Sequence, residues 1–179
     1  MSTSSSTLPM AAVMQRTVLV VDDNPTNLGV VSQYLQDYGY RVLTARSGMD
    51  ALNRAELASP GLILLDVMMP GMDGFETCRH LKANPLTQSI PVIFMTALTE
   101  TAHKVTGFAV GAVDYVTKPL HQEEVMARVE THLRLRELNA ELEQKVAQRT
   151  AELDNAYQLL ERLDQAKADF IQVMSHELR

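Results

Sequence analysis

Hydrophobic residues in the first two thirds of the chain fall into short runs separated by amphipathic stretches. The runs TVLVV, RVLTA, LILL, IPVIFM and VDYV begin at residues 17, 41, 62, 90 and 113. Short strands alternating with helix-length segments follow the βα rhythm of a parallel sheet. Residues 18–21, 62–65 and 92–95 are apolar at nearly every position, as expected of central strands covered by helices on both faces.

The intervening segments carry helix signals. Pro25 stands where a first-turn proline gives up no hydrogen bond, and Leu28, Val31 and Leu35 recur on one face until Gly39 can act as a left-handed stop. Ser47 with Asp50, and Asp73 with Glu76, have capping-box spacing, the first with Asp where Glu or Gln is preferred. Ala102, Val105, Ala109 and Ala112 give a weaker fourth stripe. The pattern predicts five strands and four helices before Pro119.

Beyond Pro119 the texture changes. Residues 122–179 contain no Gly or Pro and are rich in Glu, Leu, Ala, Gln and Arg, which predicts one long helix. Its seam runs through Leu135, Leu138, Leu142, Val146, Arg149, Leu153, Ala156, Leu160, Leu163, Lys167, Phe170 and Met174 in steps of 3, 4, 4, 3, 4, 3, 4, 3, 4, 3 and 4. The four unbroken heptads from Val146 to Met174 predict a coiled coil, and the doubled step of 4 before Val146 is a stutter that locally relaxes the supercoil. Arg149 and Lys167 fall on the seam, where polar side chains cost stability and can fix register. A solvated single helix is the alternative, but it would leave a long apolar stripe wet.

Composition narrows the function classes. A formal charge of −6 and a pI near 5.3 do not supply the clustered Lys and Arg that a nucleic-acid surface needs. The single cysteine, Cys78, cannot staple the fold. No signal-peptide pattern and no run of about 18 apolar residues is present, so a cytoplasmic location with no membrane span is expected. The opening MSTSSSTLP stretch is too polar to offset its ordering entropy, and residues 1–15 are expected to form a disordered leader.

In a parallel sheet all strands end at one edge, so residues far apart in sequence converge there. Asp22 and Asp23 follow the first run, Asp66 the third, Thr96 the fourth and Lys118 the fifth. Singly each has a dull explanation, as a helix cap or a surface lysine. Chance does not readily place acids, a hydroxyl and an ammonium at consecutive strand ends. Three adjacent carboxylates must either raise a pKa or bind a cation. An oxygen-only ligand set selects a hard ion, Mg²⁺ or Mn²⁺. With a divalent ion and the Lys118 ammonium, three negative charges meet three positive ones, and a phosphoryl group can approach a carboxylate.

The strings VLVVDDNPTN, LILLDVMMPGMDGFE, MTAL and GAVDYVTKP resemble the receiver domains of bacterial response regulators over residues 16–134. Asp66 lies 43 residues after Asp23, Thr96 lies 30 after Asp66 and Lys118 lies 52 after Asp66, spacings typical of that family. The resemblance implies an α/β, doubly wound, flavodoxin-like sheet of strand order 2-1-3-4-5. It implies that Asp66 accepts phosphate from a histidine kinase or phosphotransfer protein. Asp23, Asp66 and the Met68 carbonyl would hold Mg²⁺, with Asp22 acting through water or directly. Thr96 would bond a phosphoryl oxygen, Lys118 would pair with it, Tyr115 would follow Thr96 in its rotamer, and the Lys118–Pro119 bond would be cis. Met68 cannot orient an attacking water, so a long-lived phosphoryl group is expected. The neighbouring Met68, Met69 and Met72 suggest either soft-metal binding or, better in the absence of Cys or His, loop packing.

The last residues, KADFIQVMSHELR, resemble the phosphoacceptor box of histidine kinases. The resemblance implies that His176 accepts phosphate from ATP with Glu177 as base. With Met174 on the seam, His176 lies about 200° round the helix, away from a partner. His80, His103, His121 and His132 are expected to be merely solvated. Residues 135–169 then form a linker coil and 170–179 the start of a phosphoacceptor helix. No nucleotide-binding segment follows, so this stretch is expected to be unable to phosphorylate His176 by itself.

The expected whole is a receiver-first histidine kinase, homodimeric through a parallel coil. A response regulator whose coil only dimerises it or tethers a non-kinase output stands as the alternative. A phosphohydrolase of the Asp-x-Asp kind is disfavoured, because Asp66-Val67-Met68 lacks the second aspartate.

Overall fold

A computed structural model describes residues 16–97 and 107–178. The expected leader, Ala102 and Val105 of the weak fourth stripe, and His103 lie outside the described residues. Five strands, β1 (Thr17–Val21), β2 (Arg41–Ala45), β3 (Leu62–Asp66), β4 (Val92–Thr96) and β5 (Asp114–Thr117), form one parallel sheet in the order β2-β1-β3-β4-β5. This is the doubly wound, flavodoxin-like topology expected.

Alternation along each strand explains why the central runs are apolar throughout. Leu19, Val21, Ile63 and Leu65 point to one face, where they pack with Ala51 and Ala55 of α2 (Gly48–Ala58) and Cys78 and Leu81 of α3 (Gly74–Ala83). Val18, Val20, Leu62 and Leu64 point to the other face, against Leu28, Val31 and Leu35 of α1 (Pro25–Asp37) and Val125, Val129 and Leu133 of the C-terminal helix (Gln122–Glu177). A side-chain period of two, with a helix layer on each face, buries every residue of β1, β3 and β4.

Local signals act as their chemistry requires. Asn24 caps α1 by accepting from the Thr26 N–H at 2.9 Å, and Pro25 occupies the first turn. Ser47 and Asp73 cap α2 and α3 through the Asp50 and Glu76 N–H groups, at 3.2 and 2.7 Å. Gly39 ends α1 with φ of 81°. Residues 107–109 are helical.

The first compact unit runs to Glu137, and the second begins at Leu138. In the second unit Leu142, Val146, Leu153, Leu160, Leu163 and Phe170 of the seam are each more than half exposed. No helix among the described residues is long and apolar enough to cross a membrane.

Candidate functional site

The carboxyl edge of the sheet gathers the residues that the strand-end pattern predicted. Asp22 follows β1 and is fully buried, Asp66 closes β3 at 3% exposure, Thr96 closes β4 at 5%, and Lys118 follows β5. Lys118 Nζ lies 2.9 Å from Asp22 Oδ2 and 2.9 Å from Asp66 Oδ2. One ammonium thus bridges two buried acids. The Lys118 N–H also donates to the Thr96 carbonyl at 2.7 Å, which ties the cation to the end of β4.

Asp22 is held by three donors. Asn24 N–H reaches Oδ1 at 2.8 Å, while Asn27 Nδ2 and Lys118 Nζ reach Oδ2 at 3.0 and 2.9 Å. Asp66 Oδ1 accepts from the Met68 N–H at 3.3 Å, so the chain turns at residues 66–68 directly beside the carboxylate. Asp23 is the partly exposed member. Oxygen atoms of Asp22, Asp23 and Asp66 all lie within 4.8 Å of one another.

Burial drives the electrostatics. Desolvation raises the Asp66 carboxyl above the usual carboxylate range, and the hydrogen bond and charge of Lys118 only partly oppose it. Lys118 itself is pulled down by desolvation, but the bonds to Asp66 and Asp22 prevail and hold its pKa above the ordinary value. Without a further cation the site is anionic and one of its acids is reluctant to ionise. A cluster of carboxylate oxygens with no sulfur or nitrogen donor is the set that fits a hard divalent ion.

Close backbone approach shapes the rim. A Cβ on Gly74 would overlap the Asp66 carbonyl oxygen and the Val67 Cα, so the first turn of α3 packs against the end of β3 only because residue 74 is glycine. The Gly74 N–H donates to the Val67 carbonyl at 3.0 Å. The methionines here follow the loop-packing expectation in part: Met69 is 7% exposed in the core, while Met68 is 64% exposed at the rim. Met72 lies against Gly48. The Lys118–Pro119 bond is cis, as expected.

Tyr115 sits on β5, paired with Phe94 two residues before the Thr96–Thr117 pair. Its ring meets Phe108 edge-on at 6.2 Å between centroids, and the Arg128 guanidinium lies 5.6 Å from its centroid. His176 and Glu177 are exposed on the C-terminal helix and belong to the second compact unit.

One expectation is corrected. His132 is not merely solvated: its side chain is 15% exposed, and Nε2 lies 3.0 Å from Asp114 Oδ2. It packs inward because it follows Glu124 and Arg128 at helical steps of four, on the face that meets β5. His80 and His121 are exposed as expected. Sequence reasoning also missed Asn27, the second side-chain donor to Asp22. Its position five residues after Asp22, in the first turn of α1, was the available signal.

The family model described as "Response regulator receiver domain" matches residues 18–130. A probable cyclic di-GMP phosphodiesterase of Vibrio cholerae is 42% identical over 154 residues, which cover 82% of this chain and 35% of that protein. The receiver domain of a signal transduction histidine kinase from Syntrophus aciditrophicus is 36% identical, with a TM-score of 0.62 over 66% of this chain and 89% of that one. The receiver domain of sensor histidine kinase PA1611 from Pseudomonas aeruginosa, solved with magnesium coordinated in its active site cleft, is 29% identical, with a TM-score of 0.61 over 65% of this chain and 96% of that one. The chain spans about a third to a half of the length of the first curated relatives it matches, 30–52%.

Proposed function

The chain belongs to the response regulator receiver family, and from that membership we propose that Asp66 takes a phosphoryl group from a phosphohistidine donor and that the C-terminal helix couples this receiver to a histidine kinase module carrying His176. The observation that carries the first half is the cluster of Asp22, Asp23 and Asp66 oxygens within 4.8 Å, with the Lys118 ammonium 2.9 Å from two of the acids.

Receiver domains bind Mg²⁺ at such an acidic pocket, and the three carboxylates here fit it. Asp23 and Asp66, with the Met68 carbonyl, are its proposed ligands. Asp22, whose oxygens already accept three hydrogen bonds, is proposed to act through water. A bound divalent ion supplies the two positive charges that let an anionic phosphoryl group enter. In the transfer an Asp66 oxygen forms a bond to phosphorus as the phosphorus–nitrogen bond to the donor imidazole breaks, and that ring leaves with its electron pair. Lys118 then pairs with a phosphoryl oxygen, and the Thr96 hydroxyl at the end of β4 bonds another. Tyr115 follows Thr96. Radiolabelled transfer from a phosphorylated histidine donor should label the wild-type chain and leave Asp66→Asn blank; equal labelling of the two would refute Asp66 as acceptor.

The second half rests on the SHELR segment and on the seam of the second unit. Residues 16–134 serve as the receiver, 135–169 as a parallel, dimeric linker coil and 170–179 as the start of the phosphoacceptor helix. A response regulator with a non-kinase output is the competing reading. It is favoured by the match to the Vibrio cholerae protein, whose 154 aligned residues outrun the 113 residues of 18–130 and so extend beyond the receiver. ATP-dependent labelling of His176 in the full-length protein, lost in His176→Gln, separates the two.

A further inference from the structure

Arg128 and His132 occupy successive turns of the C-terminal helix and meet the same carboxylate. Arg128 Nη1 donates to Asp114 Oδ1 at 2.7 Å, and His132 Nε2 lies 3.0 Å from Asp114 Oδ2. The side chains are 33%, 15% and 18% exposed for Arg128, His132 and Asp114, so this is a half-buried cluster and not a solvated surface pair. Glu124, one turn earlier, receives Arg128 from the other side at 3.3 and 3.4 Å. Asp114 opens β5 and is followed directly by Tyr115, whose ring carries the Arg128 guanidinium 5.6 Å from its centroid.

Arg128 therefore has two kinds of partner at once: fixed carboxylates and the face of an aromatic ring. A planar guanidinium stacks and hydrogen-bonds together in a way that an ammonium does not. Displacing the ring removes one partner and leaves the other, so the geometry of the Asp114 pair must readjust. Because Asp114 also holds His132, that readjustment reaches a second turn of the helix. We infer that Arg128 is a positioning residue that transmits the placement of the Tyr115 ring, through Asp114, to the His132 turn of the C-terminal helix. The inference rests on the reading of Asp66 as phosphoacceptor and of Tyr115 as the aromatic that follows Thr96, and adds the group that carries the signal onward.

The test uses the whole chain with beryllofluoride as phosphoryl analogue and reads two nuclei. Fluorotyrosine labelling reports Tyr115, assigned by Tyr115→Phe, and ring nitrogen resonances report His132, assigned by His132→Gln. In the wild type both signals should move on beryllofluoride addition. In Arg128→Met the Tyr115 signal should still move while the His132 shift falls at least fivefold, and Arg128→Lys, which keeps the charge and not the stacking plane, should restore only part of it. Circular dichroism and thermal melting confirm that each variant is folded. An undiminished His132 shift in Arg128→Met, or a stationary His132 in a wild type whose Tyr115 moves, would overturn the inference. A wild type that binds no beryllofluoride at all is a different result, one that removes the phosphoacceptor reading and this inference with it.

Discussion

Lys118 Nζ lies 2.9 Å from Asp66 Oδ2 and equally close to Asp22 Oδ2, so one cation is shared by the fully buried Asp22 and the proposed nucleophile. Replacing it with methionine removes the partner of both. Asp22 keeps its bonds from Asn24 and Asn27, yet a buried carboxylate without its counter-charge costs roughly 2–4 kcal/mol. Lys118→Met is expected to lose that much in urea denaturation and to abolish labelling of Asp66. Full stability with lost labelling would assign Lys118 to chemistry alone.

Desolvation holds the Asp66 carboxyl above the ordinary range. The sign of its effect on stability follows from linkage. With a raised folded pKa the native state binds the proton more tightly than the unfolded one, so ionised Asp66 costs stability at pH above the folded value. The cost disappears as pH falls below the unfolded value of about 3.9. Without divalent cation, Asp66→Asn should therefore melt above the wild type at pH 7, with the gap closing towards pH 4. Magnesium at about 100 times its Kd should stabilise the wild type by ~2.7 kcal/mol and the variant by far less. Melting curves at both pH values with and without magnesium check this, and equal stabilisation of the two would put the ion elsewhere.

Much of this fold and site was legible in the sequence because parallel sheets leave two coarse signatures. Runs such as LILL are apolar on both faces only when helices cover both, and acids, hydroxyl and lysine at strand ends share one edge whatever the loops do. Side-chain geometry within the cluster was less legible. Asn27 carries no hydrophobic signal, and its role exists only because α1 starts beside Asp22. His132 looked solvated because a helical histidine says nothing of what faces it; Asp114 belongs to a strand 18 residues earlier. The seam was visible as periodicity, but periodicity names a face and not the chain that covers it.

Met68 projects from the rim at 64% exposure, two residues after Asp66. Its thioether has no proton to donate and cannot hold a water in line with phosphorus. Met68→Asn is expected to shorten the lifetime of phosphorylated Asp66 by about tenfold, equivalent to ~1.4 kcal/mol in the barrier. Loss of label from purified phosphoprotein over time measures it, and an unchanged lifetime would remove the role assigned to this position.

Cys78 lies on the buried face of α3, with Sγ 3.5 Å from the Val110 carbonyl. Burial pushes its thiol up to about 11. At pH 8 only about one molecule in a thousand then carries the thiolate that reacts. Native protein should react with a thiol-specific disulfide reagent at least 100-fold more slowly than protein in urea. A fast native reaction would mean that α3 leaves the sheet readily.

The second unit sets an energetic problem, because Leu153, Leu160, Leu163 and Phe170 are all more than half exposed on the one helix that makes up its described residues. Burying one leucine is worth about 1.5–3 kcal/mol, so the proposed dimer should depend steeply on single seam residues. Leu160→Asp is expected to weaken self-association at least 100-fold, about 2.7 kcal/mol, in sedimentation equilibrium. Arg149 and Lys167 make the opposite prediction: in a parallel dimer each meets its own copy across the seam, and like charges there oppose pairing. Arg149→Leu with Lys167→Leu should tighten the dimer and lower its salt dependence. If the double variant instead weakens association, the two cations face carboxylates of the partner, and the chains run antiparallel or out of register. Because a shared kinase bundle needs parallel chains in register, that outcome would count against His176 as its phosphoacceptor.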